Sequence, residues 1–175
     1  MKYVGLCGLH GAGKTHIAAR LCELGNWKIL DKRLELKQLY ENGWSRRSKD
    51  ESWEVWYRSI YERFGSGAVM LKLLETISSS SACVIVIDAI HTPEEWLTLQ
   101  GHAPGSILAG VWAPQAIRDL RRDEPIKMDA RRTHFWHHNN DCLMSRVEWA
   151  FPGSLSSKLL DNLCQELITY VSNPS

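Results

Sequence analysis

The stretch that decides the fold is Gly8-Leu9-His10-Gly11-Ala12-Gly13-Lys14-Thr15, close to the start of the chain. A short apolar run, Tyr3–Leu6, precedes it, and Thr15–Leu24 follows with helical periodicity. The spacing G-x-x-x-x-G-K-[ST] between a strand and a helix is typical of a loop that surrounds phosphate oxygens with backbone N–H groups. The glycines let these groups turn inward, and the N-terminus of the following helix adds its partial positive charge. We therefore predict a phosphate-binding loop at residues 8–15.

Two side chains of this loop have expected tasks of their own. The Lys14 ammonium is expected to neutralise the β- and γ-phosphates of a nucleotide, and the Thr15 hydroxyl to bind Mg²⁺. Other contacts to the nucleotide would come mainly from the backbone. The remaining residues of the predicted nucleotide site are Gly8, His10, Gly11, Ala12, Gly13 and His16.

The rest of the chain alternates short apolar runs with longer stretches of helical periodicity. Such alternation predicts an α/β fold with a parallel sheet of about five strands and helices on both faces. We expect a single domain over residues 1–175. After Tyr3–Leu6, the predicted strands are Trp27–Leu30, Cys83–Ile87, Ile107–Trp112 and Val147–Phe151.

Helix boundaries are predicted from capping patterns and apolar stripes. Ser48–Glu51 and Thr92–Glu95 match the capping box and are expected to begin helices. A helix from Leu155 to Val171 is predicted from apolar residues at every fourth position. The helix after the first box would carry one apolar stripe, formed by Trp53, Trp56, Tyr57, Ile60, Tyr61 and Phe64.

Composition excludes several classes of protein. The 175 residues carry a formal charge of +1, which argues against binding a polyanion through bulk electrostatics. The mean hydropathy is −0.28, and no apolar run reaches the roughly 18 residues of a membrane span. The five cysteines form no CxxC pair, so reduced thiols are expected. With too short an apolar start for a secretory signal, the chain is expected in the cytoplasm, without a membrane partner.

The predicted strand Cys83–Ile87 is followed by Asp88, where a carboxylate can hold Mg²⁺ directly or through water. The next residue is Ala89, so the Glu that polarises a hydrolytic water in many ATPases is missing there. The chain also contains no N-K-x-D motif for reading guanine. These features favour transfer of a phosphoryl group from ATP to a bound acceptor.

Three further segments resemble the nucleoside-monophosphate-kinase-like branch of P-loop kinases, which includes dephospho-coenzyme A kinase and phage deoxynucleotide kinases. They are Arg63–Val69, Ile87–Glu95 with its likeness to D-G-[IV]-R-x-x-E-E, and Val111–Pro114 followed by arginines. The resemblance implies a P-loop kinase fold, with ATP and Mg²⁺ as cofactors. It also implies an acceptor-binding segment at about 32–66 and a short lid at about 115–142.

Ala89 and His91 stand where the family pattern has Gly and Arg. An acceptor-phosphate contact that the family makes with Arg is therefore lost here or supplied from elsewhere. This departure admits a smaller or less charged acceptor, or one held partly by another macromolecule. His91 is kept among the predicted acceptor-binding residues.

Candidate catalytic groups accompany Lys14. Asp31 ends the second predicted strand, where kinases of this family carry an acidic group that orients the acceptor; the alternative is an N-cap for the helix Lys32–Tyr40. Arg118 and Arg122, with Arg121 between them, could share a helix face and neutralise the transferring phosphate. The alternative for them is a solvated basic face.

The predicted acceptor segment mixes aromatic and guanidinium groups, which suit base stacking and phosphate pairing. Trp53, Trp56 and Tyr57 are expected to be mostly helix core. The predicted acceptor-binding residues, besides Asp31 and His91, are Trp44, Arg46, Arg47 and Arg58.

The resulting hypothesis is an ATP-dependent kinase acting on a nucleotide-type small molecule, with a (deoxy)nucleoside monophosphate as the leading acceptor. The alternative enzyme phosphorylates a hydroxymethylated pyrimidine base in phage-type DNA, because aromatic and arginine side chains also suit a flipped-out base. An alternative of another class is a nucleotide-binding switch without an acceptor reaction.

Overall fold

The computed structural model describes residues 1–77, 82–121 and 130–172, and gives only the backbone at 130–136. Five strands form one parallel sheet in the order β2-β3-β1-β4-β5, which confirms the predicted α/β fold. Because all neighbouring strands are parallel, their carboxyl ends lie together at one edge of the sheet. The strands are β1 (Lys2–Cys7), β2 (Lys28–Asp31), β3 (Val84–Asp88), β4 (Ile107–Trp112) and β5 (Trp149–Pro152).

Helices cover both faces of the sheet, as the alternation of elements predicts. On one face lie α1 (Lys14–Gly25) and α7 (Ser157–Ser172). The other face is covered by α3 (Trp53–Ile77), α4 (Pro93–His102) and α6 (Ala130–Met144). Two shorter helices complete the fold: α2 (Lys32–Glu41) packs against α3, and α5 (Gln115–Leu120) follows β4.

The three central strands, β3, β1 and β4, divide their side chains between two cores, because successive residues point to opposite faces of a sheet. In β1, Val4 and Leu6 pack beneath α1 and α7, whereas Tyr3 and Cys7 pack beneath α3 and α4. All four are buried. This double burial explains why the three central strands are almost continuously apolar.

A third apolar cluster joins α2 to α3 and contains much of the chain's tryptophan. Leu36 of α2 packs against Trp56 and Ile60 of α3, and all three are fully buried. The Trp56 indole N–H donates to the carbonyl oxygen of Trp44 at 3.0 Å. The predicted apolar stripe is thus largely packed, although Phe64 at its end is exposed.

Two predicted helix starts are wrong. The helix expected after Ser48–Glu51 begins at Trp53, because the Glu51 carboxylate accepts from the Arg47 backbone N–H at 2.8 Å instead of capping a helix. The final helix begins at Ser157, so Leu155 lies outside it. Leu155 precedes the helix and is half-buried against the core, and the buried face of the helix is formed by Leu160, Cys164, Leu167, Ile168 and Val171.

The second capping box is confirmed in part. The Thr92 hydroxyl accepts from the Glu95 backbone N–H at 3.2 Å, and Pro93 occupies the first turn of α4. In a capping box the Glu95 carboxylate would accept from the backbone N–H of Thr92. Here it accepts from the backbone N–H of the preceding residue, His91. No helix among the described residues is long and apolar enough to cross a membrane.

Replacement of Thr92 by Ala is expected to lower the free energy of unfolding by about 1 kcal/mol, because α4 loses its N-cap. Urea denaturation of the purified variants measures the change. Thr169→Ala is the matched control, since Thr169 is exposed inside α7 and Ala is the better helix former. Equal stability of the two variants would contradict the capping role.

Candidate functional site

The loop at residues 8–15 lies at the carboxyl edge of the sheet, between β1 and α1. Gly8, Gly11 and Gly13 have φ values of 140°, 78° and 103°, a backbone region that side chains with a Cβ rarely adopt. The helix α1 begins at Lys14, so the N–H groups of its first turn have no partners within the helix. The helix dipole adds partial positive charge at the same place, and the loop therefore suits an anion such as a phosphate group.

Neighbouring segments approach the backbone of this loop too closely for any side chain between them. A Cβ placed on Gly8 would lie 2.2 Å from the carbonyl oxygen of Val111, and one placed on Gly153 would lie 2.0 Å from that of Ala12. The end of β4 and the turn after β5 are thus packed directly on the loop. This packing holds the loop in a fixed conformation.

Lys14 carries the main positive charge of the loop. Its ammonium donates to the carbonyl oxygens of Gly8 at 2.9 Å and Leu9 at 3.1 Å, which directs the side chain back over the loop. Burial lowers the pKa of Lys14, the nearby Asp88 carboxylate opposes that shift, and Arg118 adds to it. Lys14, Asp88 and Arg118 therefore form one electrostatic group at the loop.

The two predicted Mg²⁺ ligands are an exposed hydroxyl, Thr15, and a half-buried carboxylate, Asp88. Asp88 ends β3 and pairs in register with Leu6 of β1, next to the loop. Oxygen ligands of this kind suit Mg²⁺, which keeps few protein ligands and takes others from phosphates and water. Among the described residues no group of three or more His, Cys, Asp or Glu side chains is placed to hold a metal ion.

The arginines after β4 separate into different environments. The α5 helix ends at Leu120, so the expectation of three arginines on one helix face is wrong for Arg121, which follows the helix. Arg118 is half-buried, near Lys14, and donates to the Ala113 carbonyl at 3.2 Å. Arg122 lies outside the described residues, and its role stays a prediction.

Arg121 binds the outer side of the phosphate-binding loop. Its guanidinium donates to the carbonyl oxygens of Gly11 and Ala12, both at 3.3 Å, and of Gly153 at 2.6 Å. The side chain thereby ties the loop to the turn after β5. The sequence around Arg121 does not indicate this contact between the loop and the turn after β5.

A pocket of about 250 Å³ opens beside the start of α1. Its lining combines apolar groups with two polar side chains, His16 and Arg121. Gly13 and His16 of this lining belong to the nucleotide site predicted from the sequence, whereas the other lining residues were not predicted. The Pro152-Gly153 pair at the end of a predicted strand was a possible signal of a turn near the loop. The apolar residues of the lining are Ile17, Pro152, Leu155 and Leu160.

Asp31 lies at the end of β2 and is exposed. Its carboxylate accepts from the backbone N–H groups of Arg33 at 2.9 Å and Leu34 at 3.0 Å, so it is the N-cap of α2. The alternative role that the sequence suggested for Asp31, capping of the following helix, is therefore present in the structure. A role for Asp31 in orienting an acceptor stays a prediction.

A buried ion pair lies behind Asp31. The Lys32 ammonium is 2.6 Å from one carboxylate oxygen of Glu95, and the two residues are only 3% and 1% exposed. The other carboxylate oxygen accepts from the His91 backbone N–H at 2.7 Å. Burial, followed by the charges of Lys32 and Lys14, holds the pKa of His91 well below its usual range, which keeps the imidazole neutral.

Two half-buried tyrosines of α3 stand near this ion pair. The rings of Tyr57 and Tyr61 are 5.5 Å apart, and the negative charge of Glu95 acts on both hydroxyls. Burial raises the pKa of each phenol, so both are neutral at ordinary pH.

The other predicted acceptor residues lie at the junction of α2 and α3. Trp44 stacks on Phe64 with ring centres 5.7 Å apart, and Arg46 lies over the Tyr40 ring at 4.6 Å. Arg46 also donates to the carbonyl oxygens of Lys49 and Glu51. These contacts give Trp44 and Arg46 structural tasks. The remaining two predicted residues, Arg47 and Arg58, are exposed.

No family model matches the chain, and no curated protein matches it. Solved structures match over nearly its whole length. An APS kinase from Mycobacterium tuberculosis in complex with AMPPNP and APS has a TM-score of 0.60 at 16% identity, over 98% of this chain and 98% of that one. A shikimate kinase from Acinetobacter baumannii in complex with shikimate has a TM-score of 0.57 at 17% identity, over 98% and 93%. An unliganded sugar kinase from Janibacter sp. HTCC2649 has a TM-score of 0.60 at 12% identity, over 98% and 95%.

The fold is that of the P-loop kinases. This confirms the fold that the loop and the resemblance implied. The sequence patterns did not predict a contact between Lys32 and Glu95. Lys32 follows a strand and Glu95 belongs to a capping box, and neither pattern indicates a partner 63 positions away. The P-loop kinase fold brings them together where β2 and β3 end.

Glu95→Gln is expected to lower the free energy of unfolding by about 3 kcal/mol, because Lys32 keeps a buried charge without its partner. Chemical denaturation measures the loss. Glu23→Gln is the matched control: it breaks the exposed Arg20–Glu23 pair and should cost less than about 0.5 kcal/mol. Similar losses for both variants would show that the Lys32–Glu95 pair does not stabilise the fold as its burial indicates.

Proposed function

We propose that this chain is an ATP-dependent phosphotransferase acting on a small-molecule acceptor. The observation that carries the proposal is the placement of Lys14, Asp88 and Arg118 around the glycine-rich loop at the carboxyl edge of the sheet. In the proposed step an acceptor oxygen attacks the γ-phosphorus of ATP while the bond from that phosphorus to the β,γ-bridging oxygen breaks. The bonding electron pair leaves with ADP.

The chain's contribution is positioning and charge neutralisation, as in phosphoryl transfer generally. The backbone N–H groups of residues 8–15 would hold the phosphates. Lys14 would turn from the Gly8 and Leu9 carbonyls toward the phosphate oxygens, with Arg118 beside it. Thr15 and Asp88 would hold Mg²⁺, which when bound supplies positive charge to the β- and γ-phosphate oxygens.

The pocket lined by Ile17, Pro152, Leu155 and Leu160 is the proposed site of the adenine base. It adjoins the first turn of α1, where the phosphates would lie, and its apolar lining suits the faces of a planar ring. Arg121 and His16 at its rim can contact the polar parts of the donor nucleotide. The turn after β5 would then serve both the loop and the base.

A nucleotide-type acceptor, and membership of the nucleoside-monophosphate-kinase-like branch, stay predictions from the sequence. They are supported by the arginine and aromatic residues of segment 32–66, of which Trp44 and Arg46 have structural contacts. Among the solved neighbours, one carries shikimate and another APS. All these candidate acceptors share one property that the proposed reaction requires, an oxygen that can attack the γ-phosphorus.

Calorimetric titration with a non-hydrolysable ATP analogue and Mg²⁺ tests the donor site directly. Release of ADP with and without a panel of acceptors then tests the transfer reaction. A kinase is expected to show acceptor-stimulated release. A slow release that no acceptor accelerates would instead favour the nucleotide-binding switch.

Lys14→Ala is expected to lower ADP release by about 100-fold or more, because the charge aimed at the transferring group is lost. The circular dichroism spectrum should not change, since Lys14 contributes no apolar core contact. Lys28→Ala, an exposed position at the amino end of β2, is the matched control and should keep full activity. Unchanged turnover in folded Lys14→Ala would contradict the proposed site.

Asp88→Asn is expected to raise the Mg²⁺ concentration for half-maximal ADP release by about tenfold, because the neutral amide is a weaker ligand. The measurement is a Mg²⁺ titration at saturating ATP. An Mg²⁺ dependence identical to that of the unaltered chain would assign the metal to other ligands.

A further inference from the structure

Arg121, directly after α5, joins two backbone segments on the outer side of the phosphate-binding loop. One terminal nitrogen of its guanidinium, Nη1, donates to the carbonyl oxygens of Gly11 and Ala12, both at 3.3 Å. The other, Nη2, donates to the Gly153 carbonyl oxygen at 2.6 Å. Arg121 is exposed and belongs to none of the three apolar clusters of the described residues. Its hold on the loop therefore consists of hydrogen bonds to main-chain oxygens.

The two loop carbonyls that Arg121 holds determine where two backbone N–H groups point. A trans peptide unit carries its C=O and N–H on opposite sides, so a Gly11 carbonyl held outside the loop directs the Ala12 N–H inward. The Ala12 carbonyl directs the Gly13 N–H inward in the same way. The first of these directions is visible in the structure, because the Ala12 N–H donates to the Leu9 carbonyl oxygen of the same loop at 3.2 Å.

The Leu9 carbonyl oxygen marks the place where donors of the loop converge. It accepts from the Ala12 N–H at 3.2 Å and from the Lys14 ammonium at 3.1 Å. A backbone N–H and an ammonium that meet at one oxygen are donors of the kind that bind a phosphate oxygen. A phosphate oxygen at this place would receive both donors, provided that the Ala12 peptide unit keeps its direction. The hydrogen bonds of Arg121 to the neighbouring carbonyls fix that direction.

The close approach of Gly153 explains why the residue that joins the segments is an arginine. A Cβ at Gly153 would lie 2.0 Å from the Ala12 carbonyl oxygen, and the carbonyl oxygens of both residues accept from one guanidinium. A planar guanidinium presents several N–H groups in a rigid fork and can hold two such oxygens at once. The single ammonium of a lysine lacks this geometry, although it carries the same charge. The shape of the Arg121 side chain therefore matters for the loop as well as its charge.

We propose that Arg121 is a positioning residue of the donor site, which directs the Ala12 and Gly13 N–H groups toward the phosphates by holding the Gly11 and Ala12 carbonyls. The inference rests on the proposed phosphotransferase function and concerns the polyphosphate part of the donor. Arg121 acts through the backbone of the loop and the turn after β5. Its effect on phosphate binding therefore requires no contact with the base or the ribose.

Tripolyphosphate tests the inference, because it contains the phosphate chain of ATP without the base and the ribose. Its Kd and that of the non-hydrolysable ATP analogue are measured by calorimetry with Mg²⁺ for the unaltered chain, Arg121→Ala and Arg121→Lys. Both variants are expected to raise both Kd values about tenfold, since two N–H donors of the loop lose their fixed direction.

Arg20→Ala is the matched control for the loss of an arginine from this part of the chain. Arg20 lies on α1 and donates to the Asp161 carboxylate of α7 at 2.5 and 2.8 Å, so its hydrogen bonds join two helices and not the loop. This variant should keep the Kd values of both ligands. A loss equal to that of Arg121→Ala would show that the effect is not specific to the loop contacts, and would overturn the inference.

The two variants of Arg121 separate positioning from other roles of this side chain. If Arg121→Lys binds tripolyphosphate as tightly as the unaltered chain, charge alone is sufficient and the positioning role is overturned. If Arg121→Ala weakens the ATP analogue but not tripolyphosphate, the side chain acts on the base or the ribose, which also overturns it. If the unaltered chain binds neither ligand with Mg²⁺, the proposed function fails, and the inference fails with it.

Two further readouts distinguish positioning of the loop from a general contribution to stability. The Ala12 amide proton is expected to exchange with solvent about tenfold faster in Arg121→Ala, while the amides of β1 keep their exchange rates. The KM for ATP is expected to rise about tenfold with a smaller change in kcat, because the loop N–H groups bind the phosphates in the ground state and the transition state alike. Unchanged exchange of the Ala12 amide in Arg121→Ala would contradict the positioning role.

Discussion

The constraint on which the rest of this structure depends is the direct contact of three backbone segments at the phosphate-binding loop. The loop turns at Gly8 against the Val111 carbonyl, and the turn after β5 approaches it at Gly153. Arg121 fastens both from outside. Because no side chain separates these segments, the position of the loop is fixed by the sheet itself, and the start of α1 is aimed at one place along its carboxyl edge.

Charge is distributed unevenly along that edge. At the loop, Lys14 and Arg118 lie near the carboxylate of Asp88, and these three groups together carry positive charge that a ligand can use. At the neighbouring end of β2, Lys32 and Glu95 neutralise each other in a buried pair. The two places therefore differ in charge: positive charge is available at the loop, whereas the buried pair is neutral.

The periodicity of the sequence was sufficient for the three central strands, because burial on both faces demands continuous apolar runs that few other structures need. The loop motif was equally informative, since its glycines are required by the backbone whatever the rest of the chain does. Helix starts were predicted less well. Ser48 and Glu51 match a capping box, but the Glu51 carboxylate accepts from the Arg47 backbone N–H. This other local hydrogen bond forms in place of the predicted cap.

By itself, the sequence determined where the strands lie, the loop of residues 8–15 and the position of Asp88 at the end of a strand, because each depends on neighbours in the chain. Only the tertiary structure decided which charges are available. Lys32 and Glu95 are 63 positions apart and meet because β2 and β3 end side by side. Whether an arginine or lysine binds a ligand or a protein group depends on such long-range contacts, and a linear pattern of charged residues carries no information about them.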